Sequence, residues 1–234
     1  MKKRRVLWIV LAALAAVAAL VYLLWGRTYL RRHFRTVTVD RQAAVTGERV
    51  DLGGRRAIAV YFTRVGNSDF ESGVDAVSSA SLMEDGGQLI GNAELVADMI
   101  VNATGCDRYA ITVADAYASS YGDTVRQAGA ENRSGEIRAL AGELPDLSGY
   151  DTVFLVHPLW WGTLPQPVRT FLQAVDLSGK TLYNVVLHGG SKLGSAVTDT
   201  RQATAAQVSD NALAIYDDEA ARALPQVTEW LKGI

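Results

Sequence analysis

Two stretches of the 234-residue chain carry residue types that could grip a flat ligand. The denser is Pro158-Leu159-Trp160-Trp161-Gly162-Thr163, where two large aromatics sit between a proline and a glycine. An indole offers a broad face for stacking, and the flanking Pro and Gly assign it to a loop. The other is His188-Gly189-Gly190-Ser191-Lys192-Leu193-Gly194-Ser195. Its glycines let the backbone approach a ligand closely and present N–H groups to a polar edge, and its imidazole can exchange a proton near neutral pH. Taken alone, each stretch also fits a plain role: the tryptophans as packing, the glycines as a turn before a helix.

The remaining reactive residues narrow the chemistry. Cys106 is the sole cysteine, which excludes an internal disulfide, a Cys-based metal site and a redox cysteine pair. It reads as a small buried hydrophobe at the end of a helix. His33, His157 and His188 lie far apart, and none has metal-ligand spacing with another. A formal net charge of -2 without a basic stripe argues against nucleic acid as a partner.

Each candidate loop follows a short apolar run. Residues 56–62, 108–113, 151–157, 181–187 and 212–216 read as buried strands. Helical spacing appears at 92–101, near 124–132, at 168–175 and at 219–231, with Asn92 after Gly91 a suitable N-cap and Pro167 suited to a first turn. Strands alternating with helices predict an α/β fold, in which ligands bind outside the carboxyl ends of the strands.

The run from Pro158 to Val168, then Phe171-Leu172, Asp176-Leu177-Ser178-Gly179-Lys180-Thr181 and His188-Gly189-Gly190-Ser191, resembles the flavodoxin family in residues and in order. The similarity is greatest to the branch whose second flavin loop carries a Trp-Trp-Gly core, and it runs from about Arg56 to the C-terminus. It implies a flavodoxin-like doubly wound five-stranded parallel sheet, ordered 2-1-3-4-5, with FMN as cofactor. Trp160 would stack on the isoalloxazine, with Pro158, Leu159, Trp161 and Gly162 completing that loop. Gly162 would allow a peptide rearrangement against the flavin N5–H. His188, Gly189, Gly190 and Ser191 would lie beside the pyrimidine side, with His188 a candidate for binding or for proton exchange.

The same resemblance assigns Thr63-Arg64-Val65-Gly66-Asn67-Ser68 to the phosphate loop, where hydroxyls and backbone N–H groups at a helix N-terminus hold the anion. Residues 69–90 lack helical periodicity and read as an insertion within that loop. Thr63 and Arg64 would then enter the site, and Gly91, Asn92 and Ala93 would leave it onto the helix. The family's usual threonine is Ala93 here, so its hydroxyl is lost and backbone donors remain. Tyr117 and Tyr121 read as packing and Asp176 as a turn residue.

Ahead of the domain, Lys2, Lys3, Arg4 and Arg5 precede a stretch from Val6 to Trp25 that has no charge. A helix of about 20 residues spans the roughly 30 Å hydrocarbon core. Trp8, Tyr22 and Trp25 sit near its ends, as interfacial aromatics do. The run exceeds the h-region of a cleaved signal, and no small-x-small site follows it before Arg27, so residues 1–35 read as an uncleaved single-pass anchor with its helix at about 6–25. Arg27, Arg31, Arg32 and Arg35 balance the leading basic cluster and leave the side open, with a tight N-terminal cluster favouring an inside N-terminus and an extracytoplasmic domain. Residues 36–55, polar and with Gly53-Gly54, read as a linker to a domain at 56–234.

The implied chemistry is that of FMN, held and tuned by the protein. One reading is a membrane-tethered electron carrier that docks to redox protein partners. Another is an NAD(P)H-dependent quinone or flavin reductase of the same fold; the absence of Gly-x-Gly-x-x-Gly favours the carrier. Ala93 and the insertion keep a third open, a flavin-free anchored interaction domain.

Overall fold

The structure, a computed structural model, describes residues 2–33, 37–70 and 81–234. Helix α1 (Lys2–His33) includes a window, Arg4–Gly26, long and apolar enough to cross a membrane, and none of that window is buried against the rest of the chain. Its 23 residues at about 1.5 Å each span about 35 Å, slightly more than a hydrocarbon core.

Residues 37–55, read as a linker, lie along the domain as a strap. The Val39 N–H donates to Glu84 O and the Glu84 N–H to Val37 O, both at 2.9 Å. Helix α2 (Arg41–Val45), capped by the Asp40 side chain, buries Val45, and Val50 and Leu52 join the same core. These three apolar residues stand too far apart to form a periodic run, which is why the stretch looks like a linker in sequence.

After the strap come β1 (Ala57–Tyr61), the antiparallel hairpin β2 (Leu82–Asp85) and β3 (Gln88–Gly91), α3 (Asn92–Thr104), β4 (Asp107–Ala110) and α4 (Tyr121–Ser134). Then follow β5 (Thr152–Pro158), α5 (Gln166–Ala174), β6 (Thr181–His188), α6 (Ala196–Ala203), β7 (Gln207–Val208), β8 (Leu213–Tyr216), a 3-10 turn at Asp217–Arg222 and α7 (Leu224–Lys232). The described part of the insertion is thus an ordered hairpin; its residues 71–80 lie outside the described residues.

The main sheet runs β4-β1-β5-β6 with parallel pairing throughout, and β7 and β8 both pair with β6. This is the expected order 2-1-3-4-5, with one correction. The fifth position, read as one strand at 212–216, is divided between β7 and β8. Between them residues 209–212 turn, with Asn211 N–H on Ser209 Oγ and Ala212 N–H on Asp210 O. The helix read at 219–231 is likewise broken into the 3-10 turn and α7, which begins with Pro in its first turn.

Both sheet faces are covered, so β1 and β5 are buried at every position. Ala57, Ala59, Tyr61, Phe154 and Val156 face the side packed by α3 and α7, while Ile58, Val60, Val153 and Leu155 face α5 and α6. That alternation is the period of an extended chain, and it brings the carboxyl ends of β1, β5 and β6 to one edge of the domain.

Candidate functional site

At that edge lies a cleft of about 550 Å³, a size ordinary for a small-molecule site. Its walls include Arg64 from the loop after β1, Leu159, Trp160, Trp161 and Gly162 after β5, and His188, Gly189 and Ser191 after β6. Eight of the residues singled out in the sequence therefore meet at one place. Ser81 of the hairpin region, Leu187 of β6, Asp217 and the α4 residues Tyr121, Thr124, Val125 and Ala128 complete the lining. Of these α4 residues only Tyr121 was noted in the sequence, and as packing, because their side chains reach the cleft only through the packing of α4 beside the Trp loop.

The Trp loop is a tight turn. Trp160 and Thr163 exchange backbone hydrogen bonds, each 3.2 Å, around Trp161 at φ 57° and Gly162 at φ 78°. Two successive positive φ values are the pattern of a type I′ turn, easy for glycine and strained for tryptophan. Trp161 is held there from outside: its indole N–H donates to Val125 O at 3.0 Å, and the ring lies so close over Gly129 that a Cβ there would stand 3.1 Å from it. The other two described non-glycine residues with positive φ are Ser81, in the cleft wall, and Lys192, next to Ser191. Among the described residues, strain of this kind is thus gathered around the cleft.

The two indoles are differently placed. Trp161 is 64% exposed, whereas Trp160 is partly buried, edge-on to Phe62 at 5.3 Å and to Tyr117 at 5.0 Å. Behind it Tyr117, buried, donates its hydroxyl to Glu131 at 2.8 Å; Arg138 pairs with the same carboxylate at 3.3 Å and lies 4.1 Å over the Tyr117 ring. Burial, then the hydrogen bond to Glu131, raises the Tyr117 phenol far above its usual range, and burial also raises Glu131. Tyr117 is packing, as expected; Tyr121 instead lines the cleft.

After β6, the Gly190 N–H donates to His188 Nδ1 at 3.0 Å, so a neutral His188 carries its proton on Nε2. Gly190, at φ 145°, closes this small loop and is not part of the cleft wall. His157 is fully buried below the site, its Nδ1 3.1 Å from Pro158 O, and burial lowers its pKa. Pro158 ends β5 inside the sheet rather than in the cleft wall.

The expected phosphate loop is arranged differently from the sequence reading. Asn67 is a stitch within the fold: its amide donates to Thr63 O and Ile111 O, and its oxygen accepts from the Val113 N–H. Thr63, Gly91, Asn92 and Ala93 do not line the cleft. Gly91, not Asn92, is the N-cap of α3; its N–H faces Glu94 at 3.4 Å, and the Asn92 N–H is taken by Ser81 O. Asn92 donates its side-chain amide to Asp217 O, and Ala93 is wholly buried in the core. The hairpin produces this arrangement, because its returning strand β3 runs directly into α3 and covers the helix start.

Gly91 is required by close approach rather than by its torsion angle, since a Cβ there would stand 1.9 Å from Thr63 Oγ1. We expect Gly91→Ala to cost about 1–3 kcal/mol, as overpacking does, and Thr63→Ala in the same chain to restore part of that loss in urea unfolding. Thr63 Oγ1 and Asn92 Oδ1 are buried and without a hydrogen-bond partner among the described residues. Among those residues Arg64 is the one arginine or lysine of the cleft wall, with its guanidinium oriented by Ser68 Oγ and by the Ala118 and Ser119 carbonyls.

A family model described as flavodoxin matches residues 88–233. Among solved structures, a candidate flavoprotein from Bacteroides uniformis ATCC 8492 is similar with a TM-score of 0.56 and 19% identity, over 76% of this chain and 99% of that one. A flavoprotein from Lactobacillus acidophilus NCFM, solved in complex with FMN, is similar with a TM-score of 0.50 and 13% identity, again over 76% and 99%. At these identities the likeness is one of fold. Comparison with curated proteins gives no match.

Proposed function

The chain belongs to the flavodoxin family, and on that premise we propose that it binds FMN in the cleft and transfers electrons while tethered to a membrane by α1. The observation that carries this reading is the convergence of Arg64, the Trp loop and the His188 loop on one cleft at the carboxyl edge of the sheet. The donor set suits the cofactor. Leu159, Trp160 and Trp161 offer apolar and aromatic surface to a flat ring, Gly162, Gly189 and Ser191 offer polar backbone and a hydroxyl to its edge, and Arg64 offers positive charge to a phosphate.

Bound FMN would supply hydride and one-electron chemistry through its ring. The work of this chain's residues is to hold and orient. Trp160 is kept from turning by the edges of Phe62 and Tyr117, and Trp161 is fastened to α4. A neutral His188 would hold its proton at Nε2 and donate it as a hydrogen bond to the ring edge, since Nδ1 accepts from Gly190.

The test uses the full chain in detergent. Titration with FMN should quench flavin fluorescence and raise the melting temperature, and NADH or NADPH oxidation with a short-chain quinone present should stay slow. Colourless protein with no thermal shift at saturating FMN would overturn the cofactor; turnover on the order of 10 per second would replace the carrier by a quinone reductase. For the tether, the full chain should stay with membranes through a carbonate wash. A mature form beginning after Trp25 would instead reveal a cleaved signal.

A further inference from the structure

We propose that Asp199 is the positioning residue of the cleft, a carboxylate latch that holds the Trp loop and the glycine loop together; as a statement about FMN affinity this rests on the reading above. Asp199 stands in the first turn of α6 and touches neither loop in sequence. Its Oδ2 accepts from Thr163 Oγ1, the residue that closes the Trp160–Thr163 turn, and from Ser195 Oγ at 2.5 Å, the end of the glycine loop. Arg169 of α5 approaches the same oxygen at 3.7 Å and Thr163 Oγ1 at 3.4 Å. One side chain, 16% exposed, thus gathers donors from both loops and from the helix between them.

The contact it secures is close. Gly162 O accepts from the Ser195 N–H at 2.9 Å, and a Cβ on Gly194 would stand 2.3 Å from that oxygen, so the loops meet backbone to backbone. Ser195 Oγ also lies 3.2 Å from Gly162 O, but it has a single proton, and the nearer, charged acceptor takes it. Without the carboxylate, the Thr163 hydroxyl and the Arg169 guanidinium lose their shared acceptor in a partly buried place. The strained turn that presents Trp160 and Trp161 then keeps its hold on α4 and meets the glycine loop only through the Gly162 O contact with Ser195, without the side-chain clamp on Thr163. Asp199 acts on the ligand only through Thr163 and Ser195.

Two readouts test the latch, one with FMN and one without. In the full chain, Asp199→Ala should weaken FMN about tenfold, the size expected for lost charge-assisted hydrogen bonds. Thr163→Val should weaken it too, Thr163→Ser should bind as wild type, and Thr163→Val added to Asp199→Ala should cost little more, because the two share one interaction. In flavin-free protein, Asp199→Ala should speed amide hydrogen exchange at Thr163 and Ser195 while leaving the central residues of β5 and β6 unchanged. If the wild type binds no FMN but exchange quickens at those two amides, the latch stands and the cofactor reading fails. Wild-type-like exchange at both amides, additive losses in the double variant, or exchange faster throughout the sheet would each overturn the latch.

Discussion

Replacing Trp160 by alanine is expected to weaken FMN binding by ~1–3 kcal/mol, or about 5- to 150-fold, the range for losing one aromatic stacking partner. The effect should exceed that of changing Trp161. Trp160 lines the cleft from a fixed position between Phe62 and Tyr117, whereas Trp161 is mostly exposed and uses its indole N–H on Val125. Trp161→Gly removes a ring but also relieves a left-handed tryptophan, so its cost to the folded state is partly offset. Fluorescence titration of both variants beside urea unfolding separates ligand loss from packing loss. If only the Trp161 variant releases flavin, the stacking role passes to Trp161.

The largest effect on stability is expected at Glu131. Removing its carboxylate leaves Arg138 and the Tyr117 hydroxyl without their shared partner behind the cleft, and stranding one member of a buried pair costs about 3 kcal/mol or more. Glu131→Ala should therefore lower the urea midpoint strongly, and Trp160, edge-on to Tyr117, should report the loosening by a red shift in emission.

The same cluster sets a pH dependence with a definite sign. Burial raises Glu131 above 4.5, so the folded state favours its protonated form. That contribution is whole below 4.5 and is lost as pH rises through the raised folded value. Tyr117, raised above 10.0 by burial and by its bond to Glu131, behaves likewise at the alkaline end, where stability falls as pH climbs past the ordinary phenol range. Glu131→Gln should flatten the acidic segment of a stability–pH curve, and Tyr117→Phe the alkaline one. An unchanged acidic slope in Glu131→Gln would assign that dependence to other groups.

Much of this molecule is written locally in its chain. The buried strands are short apolar runs, the main helices have periodic apolar faces, and the aromatic and glycine-rich loops stand at strand ends, so the elements and the edge that carries the cleft follow from residue type and spacing, while the strand order came from the family resemblance. Leu159, Trp160, Trp161, Gly162, His188, Gly189 and Ser191 were legible because loop chemistry is local. Tertiary structure alone decided the rest. Residues 37–55 became a packed strap because Val45, Val50 and Leu52, with no period between them, find one core on α3. Thr63, Asn92 and Ala93 left the cleft wall because the returning hairpin seats Gly91 against Thr63. Asp199 and α4 reached the site across 36 residues of chain, as with Asp199 to Thr163 and Trp161 to Val125, through packing that no spacing rule encodes. A loop's chemistry depends on its own residues, whereas what holds it depends on which distant surfaces the core brings together.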